Sequence, residues 1–106
     1  MNHVQPSPMT PAEFAALKAA GRKPFLVCAY QDGNACAELA VGDSVALGSF
    51  AEQAPALGKT VDVVFYCACP NDEYAKEQAA LYKGLGFQNA KFLKGGHAAL
   101  LKQVAA

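Results

Sequence analysis

The sequence predicts a single α/β domain, a parallel β-sheet flanked by helices on both faces. Two short, nearly continuous apolar runs, residues 24–30 and 61–67, read as strands covered on both sides. Helical patterns alternate with them through short connections, which is how parallel strands are joined. The chain has 106 residues, 53% apolar and 17% charged, so it fills one domain and carries too little charge for a disordered one.

The elements follow in order. Residues 1–9 have neither a basic region nor an apolar core and read as an extension without a secretory signal, with the domain itself over 10–106. Thr10-Pro11-Ala12-Glu13 is a helix start: Thr10 caps, Pro11 fits the first turn, and Glu13 reaches back to the cap. Phe14 and Leu17 follow at helical spacing and Gly21 is the stop. After the strand at 24–30, Gln31-Asp32-Gly33-Asn34 is a turn, and 35–41 a short helix. Val45-Ala46-Leu47 is a short strand closed by Gly48, and Ser49 is expected to cap a helix to Ala54. Val61 to Cys67 is the clearest strand, rich in β-branched and aromatic residues. Residues 72–85 are helical, with Ala75, Ala79, Tyr82 and Leu85 on one face and Gly86 as the end. A strand at 90–93, a Gly95-Gly96 turn and a helix at 97–104 close the chain.

Nine basic and nine acidic residues give a net charge of zero. That balance removes the electrostatic footprint of a nucleic-acid or membrane-surface binder. The longest apolar stretch, 61–69, is interrupted by Asp62 and is far short of the ~20 residues that span a bilayer. A cytoplasmic protein is the expectation. The four cysteines are poorly placed for a disulfide scaffold: Cys67 and Cys69 are two apart, Cys28 lies inside an apolar run, and nothing pairs Cys36 by spacing. Reduced thiols are therefore expected rather than bridges. Cys28 reads as core and Cys36 as exposed and oxidisable.

In open α/β sheets ligands bind beyond the carboxyl ends of the strands, and the clearest strand ends on Cys67. In Cys67-Ala68-Cys69-Pro70-Asn71-Asp72-Glu73 a thiol is followed by a tight loop and a helix start. Loop N–H groups and the positive helix end favour thiolate over thiol, as a nucleophilic cysteine requires. The plainer role of a cysteine at a buried strand end is core filler.

Val63-Val64-Phe65-Tyr66-Cys67, a loop, a helix ending Leu85-Gly86-Phe87, a strand, and Leu93-Lys94-Gly95-Gly96-His97-Ala98-Ala99-Leu100 resemble the carboxyl half of a rhodanese-like (sulfurtransferase) domain. Tyr66-Cys67-Ala68-Cys69-Pro70-Asn71 resembles members whose active loop carries Cys-x-Cys-Pro-Asn. The resemblance implies a parallel α/β fold and a loop cysteine that accepts sulfane sulfur as a persulfide and passes it to a thiol acceptor. No cofactor and no metal are implied. The substrate-binding loop would comprise Ala68, Asn71, Asp72, Glu73 and Tyr74.

The sequence departs from the family pattern where the family has Asp-x-Arg after its first long strand, since Cys28-Ala29-Tyr30 stands there. Gly42-Asp43-Ser44-Val45-Ala46 replaces the usual Gly-His-Ile-Pro-Gly-Ala. The loop arginine is missing, and Arg22 is the only arginine in the chain. Losing that guanidinium fork and gaining two carboxylates weakens anionic donors, so thiosulfate turnover should be low. Cysteine phosphatases of this fold need the same arginine, which disfavours that activity.

Spacing alone leaves two nucleophiles. Counting from the strand selects Cys67; counting back from Gly86-Phe87 selects Cys69. Pro70 breaks the tie toward Cys67, because a proline directly after the nucleophile removes one N–H from the cradle. Cys69 is then a second or resolving thiol. The alternative function is a non-catalytic rhodanese-fold module for binding or thiol-redox sensing through Cys67 and Cys69. His97, at a helix start, reads as a capping residue before it reads as a base. A zinc site from Cys67, Cys69 and His97 lacks the usual ligand spacing. Tyr74 and Tyr82 read as packing, and Asp72 and Glu73 as support for the helix dipole.

Overall fold

The computed structural model describes residues 5–30, 33–41, 44–68 and 70–105. The chain runs β1 (Ser7–Met9), α1 (Pro11–Ala19), β2 (Phe25–Cys28), α2 (Gly33–Glu38), β3 (Val45–Ala46) and α3 (Leu47–Gln53). A 3₁₀ turn (Ala54–Ala56), β4 (Val63–Tyr66), a second 3₁₀ turn (Pro70–Asp72), α4 (Glu73–Gly84), β5 (Ala90–Leu93) and α5 (Gly96–Ala105) follow. The five strands form one sheet in the order β1-β5-β4-β2-β3, with every pairing parallel. Among the described residues no helix is long and apolar enough to cross a membrane.

Strand alternation sorts the interior into two clusters, because successive side chains point to opposite faces. Val27, Ala29, Val63, Phe65, Cys67, Ala90 and Phe92 join Leu47 and Phe50 of α3 and Ala75, Ala79 and Tyr82 of α4. Leu26, Cys28, Val64, Tyr66 and Leu93 join Phe14 of α1, Cys36 of α2, Val41 and Leu100 of α5. The first cluster is centred on Phe50, which is fully buried and packs its ring 5.1 Å from Tyr82, 5.7 Å from Phe25 and 5.9 Å from Phe65. Edge-to-face aromatic pairs of this kind add about 0.5–1.5 kcal/mol each beyond the area they bury.

Several local expectations hold for the reasons given. In α1, Thr10 Oγ1 accepts the Glu13 N–H at 3.1 Å and Glu13 Oε1 accepts the Thr10 N–H at 2.9 Å, a reciprocal capping box. The Thr10 backbone N–H, and next its hydroxyl, holds the Glu13 carboxyl below its ordinary range. Gly21 follows the helix at φ +85°, as a left-handed stop requires. Ala75, Ala79 and Tyr82 are the buried face of α4.

Other expectations are corrected. A strand precedes Thr10: Ser7–Met9 pairs with Lys91–Leu93, and Lys83 Nζ donates to Ser7 Oγ at 2.7 Å. Ser49 caps nothing, because α3 already begins at Leu47, burying Leu47 and Phe50 one turn apart. That apolar burial outweighs the roughly 1 kcal/mol a serine cap supplies. Leu85 is exposed rather than part of the buried face, since α4 ends at Gly84. The turn residues Gln31 and Asp32, and Gly42 and Asp43, lie outside the described residues.

Candidate functional site

Neighbouring strands β2 and β4 hand the chain on in opposite directions. After β2 it passes to α2, whose Cys36 belongs to the second cluster; after β4 it passes to α4, whose buried residues belong to the first. Where consecutive connections part in this way, a crevice opens outside the carboxyl ends of the two strands. Tyr30, just beyond β2, and Cys67, just beyond β4, lie at the two strand ends where the strand order puts such a crevice.

Cys67 continues the alternation of Val63 and Phe65, and only 1% of it is exposed. The loop after it is clasped by the turn between β5 and α5. The His97 N–H donates to the Cys67 carbonyl at 3.0 Å, and the Gly95 N–H donates to Asp72 Oδ2 at 3.2 Å. Gly96 is buried at φ +57°, and a Cβ there would collide with the Cys67 carbonyl oxygen. Asn71 and Asp72 are both left-handed, at φ 61° and φ 56°. Each such non-glycine residue costs on the order of 1–2 kcal/mol, and so persists only where the surroundings impose it. Asp72 consequently does not cap α4 with its side chain; its carboxylate holds Gly95 instead.

The predicted loop residues are thus brought together, with Ala68, Asn71, Glu73 and Tyr74 exposed around the buried Cys67. Cys69 lies outside the described residues. Tyr74 is half exposed and packs its ring 5.1 Å from that of Tyr30, so the two aromatic rings bridge the rim of the crevice. Tyr30 is a further residue of this candidate site that no sequence motif singles out. Its signal is position: the second residue beyond a strand's carboxyl end, next to the strand that Cys67 follows.

The expectation of reduced thiols is overturned. Cys28 and Cys36 form a disulfide with Cα atoms 5.7 Å apart, and Cys67 is disulfide-bonded as well. Cys36 is buried at 4% exposure, not exposed. Spacing failed to pair Cys28 with Cys36 because the contact arises from α2 folding back over the end of β2, which no local pattern records. The two sites are on opposite faces, Cys28 in the second cluster and Cys67 in the first.

His97 serves the loop through its backbone. Its imidazole stacks on Tyr66 at 6.4 Å, and Tyr66 points to the face opposite Cys67. The buried Tyr66 hydroxyl donates to the Leu39 carbonyl at 2.8 Å and lies 3.1 Å from Ser44 Oγ, and Ser44 Oγ accepts the Val41 N–H at 2.9 Å. Burial pushes the Tyr66 phenol up from its ordinary value of 10.0, partly offset by the Ser44 bond. Arg22 is engaged elsewhere: it pairs with Asp62 at 2.6 Å, just before β4 and therefore at the opposite end of the strand from Cys67. Among the described residues no three His, Cys, Asp or Glu side chains converge as metal ligands. Compared with known proteins, the chain matches no family model and no curated protein.

Proposed function

We propose that this chain is a rhodanese-like sulfur carrier, its sheet covered by helices on both faces, that moves sulfane sulfur through a persulfide on Cys67. The observation that carries the reading is the clasped loop at the carboxyl end of the central strand, with Cys67 at its root and left-handed Asn71 and Asp72 at its tip. Strain held in a loop by surrounding contacts is a hallmark of sites arranged for chemistry.

The cycle starts once a thiol reductant has opened the disulfide at Cys67, itself becoming a disulfide. The Cys67 thiolate attacks the outer sulfur of a donor R–S–SH; the S–S bond breaks, R–S⁻ leaves, and Cys67 carries –S–SH. An acceptor thiolate then attacks that outer sulfur and regenerates the Cys67 thiolate. With Arg22 tied to Asp62, and Asp72 and Glu73 in the loop, a polysulfide or protein-bound donor suits the site better than thiosulfate. A cytoplasmic setting belongs to the proposal, since its thiol pool would supply the opening step.

The disulfide-bonded state of Cys67 favours a second reading, a thiol-redox sensing module that carries no sulfur. Anaerobic incubation of reduced protein with polysulfide or thiosulfate, followed by intact-mass and peptide mapping, separates the two. One extra sulfur on Cys67, absent in Cys67→Ser and transferable to a small thiol, is expected. Re-formation of a disulfide without sulfur uptake would replace the carrier with the sensor, and sulfur on Cys69 alone would move the nucleophile.

A further inference from the structure

The Cys28–Cys36 bond lies outside the chemistry just described, and its surroundings suit both of its oxidation states. The pair joins the end of β2 to α2 in the second cluster, with both cysteines buried. Cys36 Sγ also lies 3.3 Å from the Tyr30 carbonyl. In the disulfide that sulfur has no proton to donate. Once reduced, the Cys36 thiol finds an acceptor already in place, so opening the bond does not strand a buried polar group.

Tyr30 connects this pair to the crevice. It packs against both core clusters, and its ring meets Tyr74, two residues beyond the left-handed Asp72. Cys28 is also the register partner of Tyr66, the residue before Cys67, and the Ala29 N–H donates to the Tyr66 carbonyl at 2.8 Å. A second tether, Tyr66 hydroxyl to the Leu39 carbonyl, keeps α2 against the sheet when the disulfide is open.

We propose that Cys28–Cys36 is a second, independent redox centre, reduced in the folded protein by a dithiol, whose state sets the order of the Tyr30–Tyr74 rim beside the Cys67 loop. The step balances as a disulfide exchange: the dithiol loses two electrons and closes to its own disulfide, and its two protons end on Cys28 and Cys36. The bond fixes Tyr30 by joining the residues on either side of it; opening it leaves Tyr30 held only by packing and by the weak bond from the Cys36 thiol to its carbonyl.

The test uses the Cys67→Ser, Cys69→Ser double variant, in which Cys28–Cys36 is the sole redox pair, so that failure of sulfur transfer has no bearing on the result. Hydrogen exchange is followed by mass spectrometry with and without dithiothreitol, with thiol alkylation reporting the state of the pair. Reduction is expected to raise exchange about fivefold in residues 29–30, 33–41 and 72–76, the factor that follows from losing roughly 1 kcal/mol of local order, while β5 and the rest of α4 stay protected. Tyr30→Leu is expected to abolish the rise in 72–76 and keep that in 33–41. Unchanged exchange in 72–76, persistence of that rise in Tyr30→Leu, or reduction that occurs only with exchange throughout the chain would each overturn the proposal, the last marking the bond as a plain staple.

Discussion

Replacing Gly96 by alanine tests the clasp on the Cys67 loop directly. Gly96 sits at φ +57°, where an L side chain costs about 1–2 kcal/mol. Its new Cβ would also meet the Cys67 carbonyl oxygen, a backbone atom that cannot swing aside as a side chain can. That carbonyl must move off the His97 N–H it now accepts at 3.0 Å, and the lost hydrogen bond adds about 1 kcal/mol. The expected total is about 2–3 kcal/mol. Two controls separate the contributions. Gly21 has the same left-handed backbone, at φ +85°, with open space around its Cβ, so Gly21→Ala reports the backbone cost alone. Gly48 lies in α3 with open space and no positive φ, so Gly48→Ala is expected to stabilise by about 0.5–1 kcal/mol. Urea unfolding of the oxidised proteins, followed by far-ultraviolet circular dichroism, gives the three values on one scale. If Gly96→Ala cost no more than Gly21→Ala, the close approach of Gly96 to Cys67 would not be restraining the loop.

Further outcomes follow from the same geometry. Cys28→Ala with Cys36→Ala opens a loop whose ends are 8 residues apart, and loop-closure entropy puts the loss at about 2.5 kcal/mol in a urea midpoint measurement. Tyr66→Phe leaves the Leu39 carbonyl without its donor and should cost about 1–3 kcal/mol by thermal or urea unfolding. Because burial raises the Tyr66 phenol in the fold, its contribution is complete below the unfolded value of about 10 and is lost as pH rises through the higher folded value. An alkaline unfolding titration should therefore decline less steeply in Tyr66→Phe than in the wild type. Asn71→Gly should stabilise by up to about 1 kcal/mol and Asn71→Ala should not, since only glycine accepts φ 61° without penalty.

The helices and strands that depend on local chemistry were legible in the sequence. The Thr10–Glu13 box, the Val63–Tyr66 strand and the Ala75–Ala79–Tyr82 face each rest on neighbours within one or two turns. So did the place of Cys67, because a strand's carboxyl end can be read from where its apolar run stops. What could not be read was set by residues far apart in the chain. The strand at Ser7–Met9 exists because β5, more than eighty residues later, offers it a partner. The start of α3 was decided by burial of Leu47 and Phe50 and not by the serine two residues on. The role of Asp72 likewise came from Gly95, across the sheet's end, and the pairing of Cys28 with Cys36 from the path of α2.

The order β1-β5-β4-β2-β3 also places the two shortest strands at the margins, three residues on one side and two on the other. An unpaired strand margin is the template on which a foreign chain can continue a sheet, and the hazard grows with the length of backbone on offer. Here a newcomer would find two residues beside β3, or three beside β1, where Pro8 at the centre has no N–H to give. The fully buried segment Val63–Tyr66, with its two valines and two aromatic residues, is enclosed between neighbours on both sides. The strand order that brings Cys67 to the middle of the molecule thereby also protects the chain against self-assembly through its sheet.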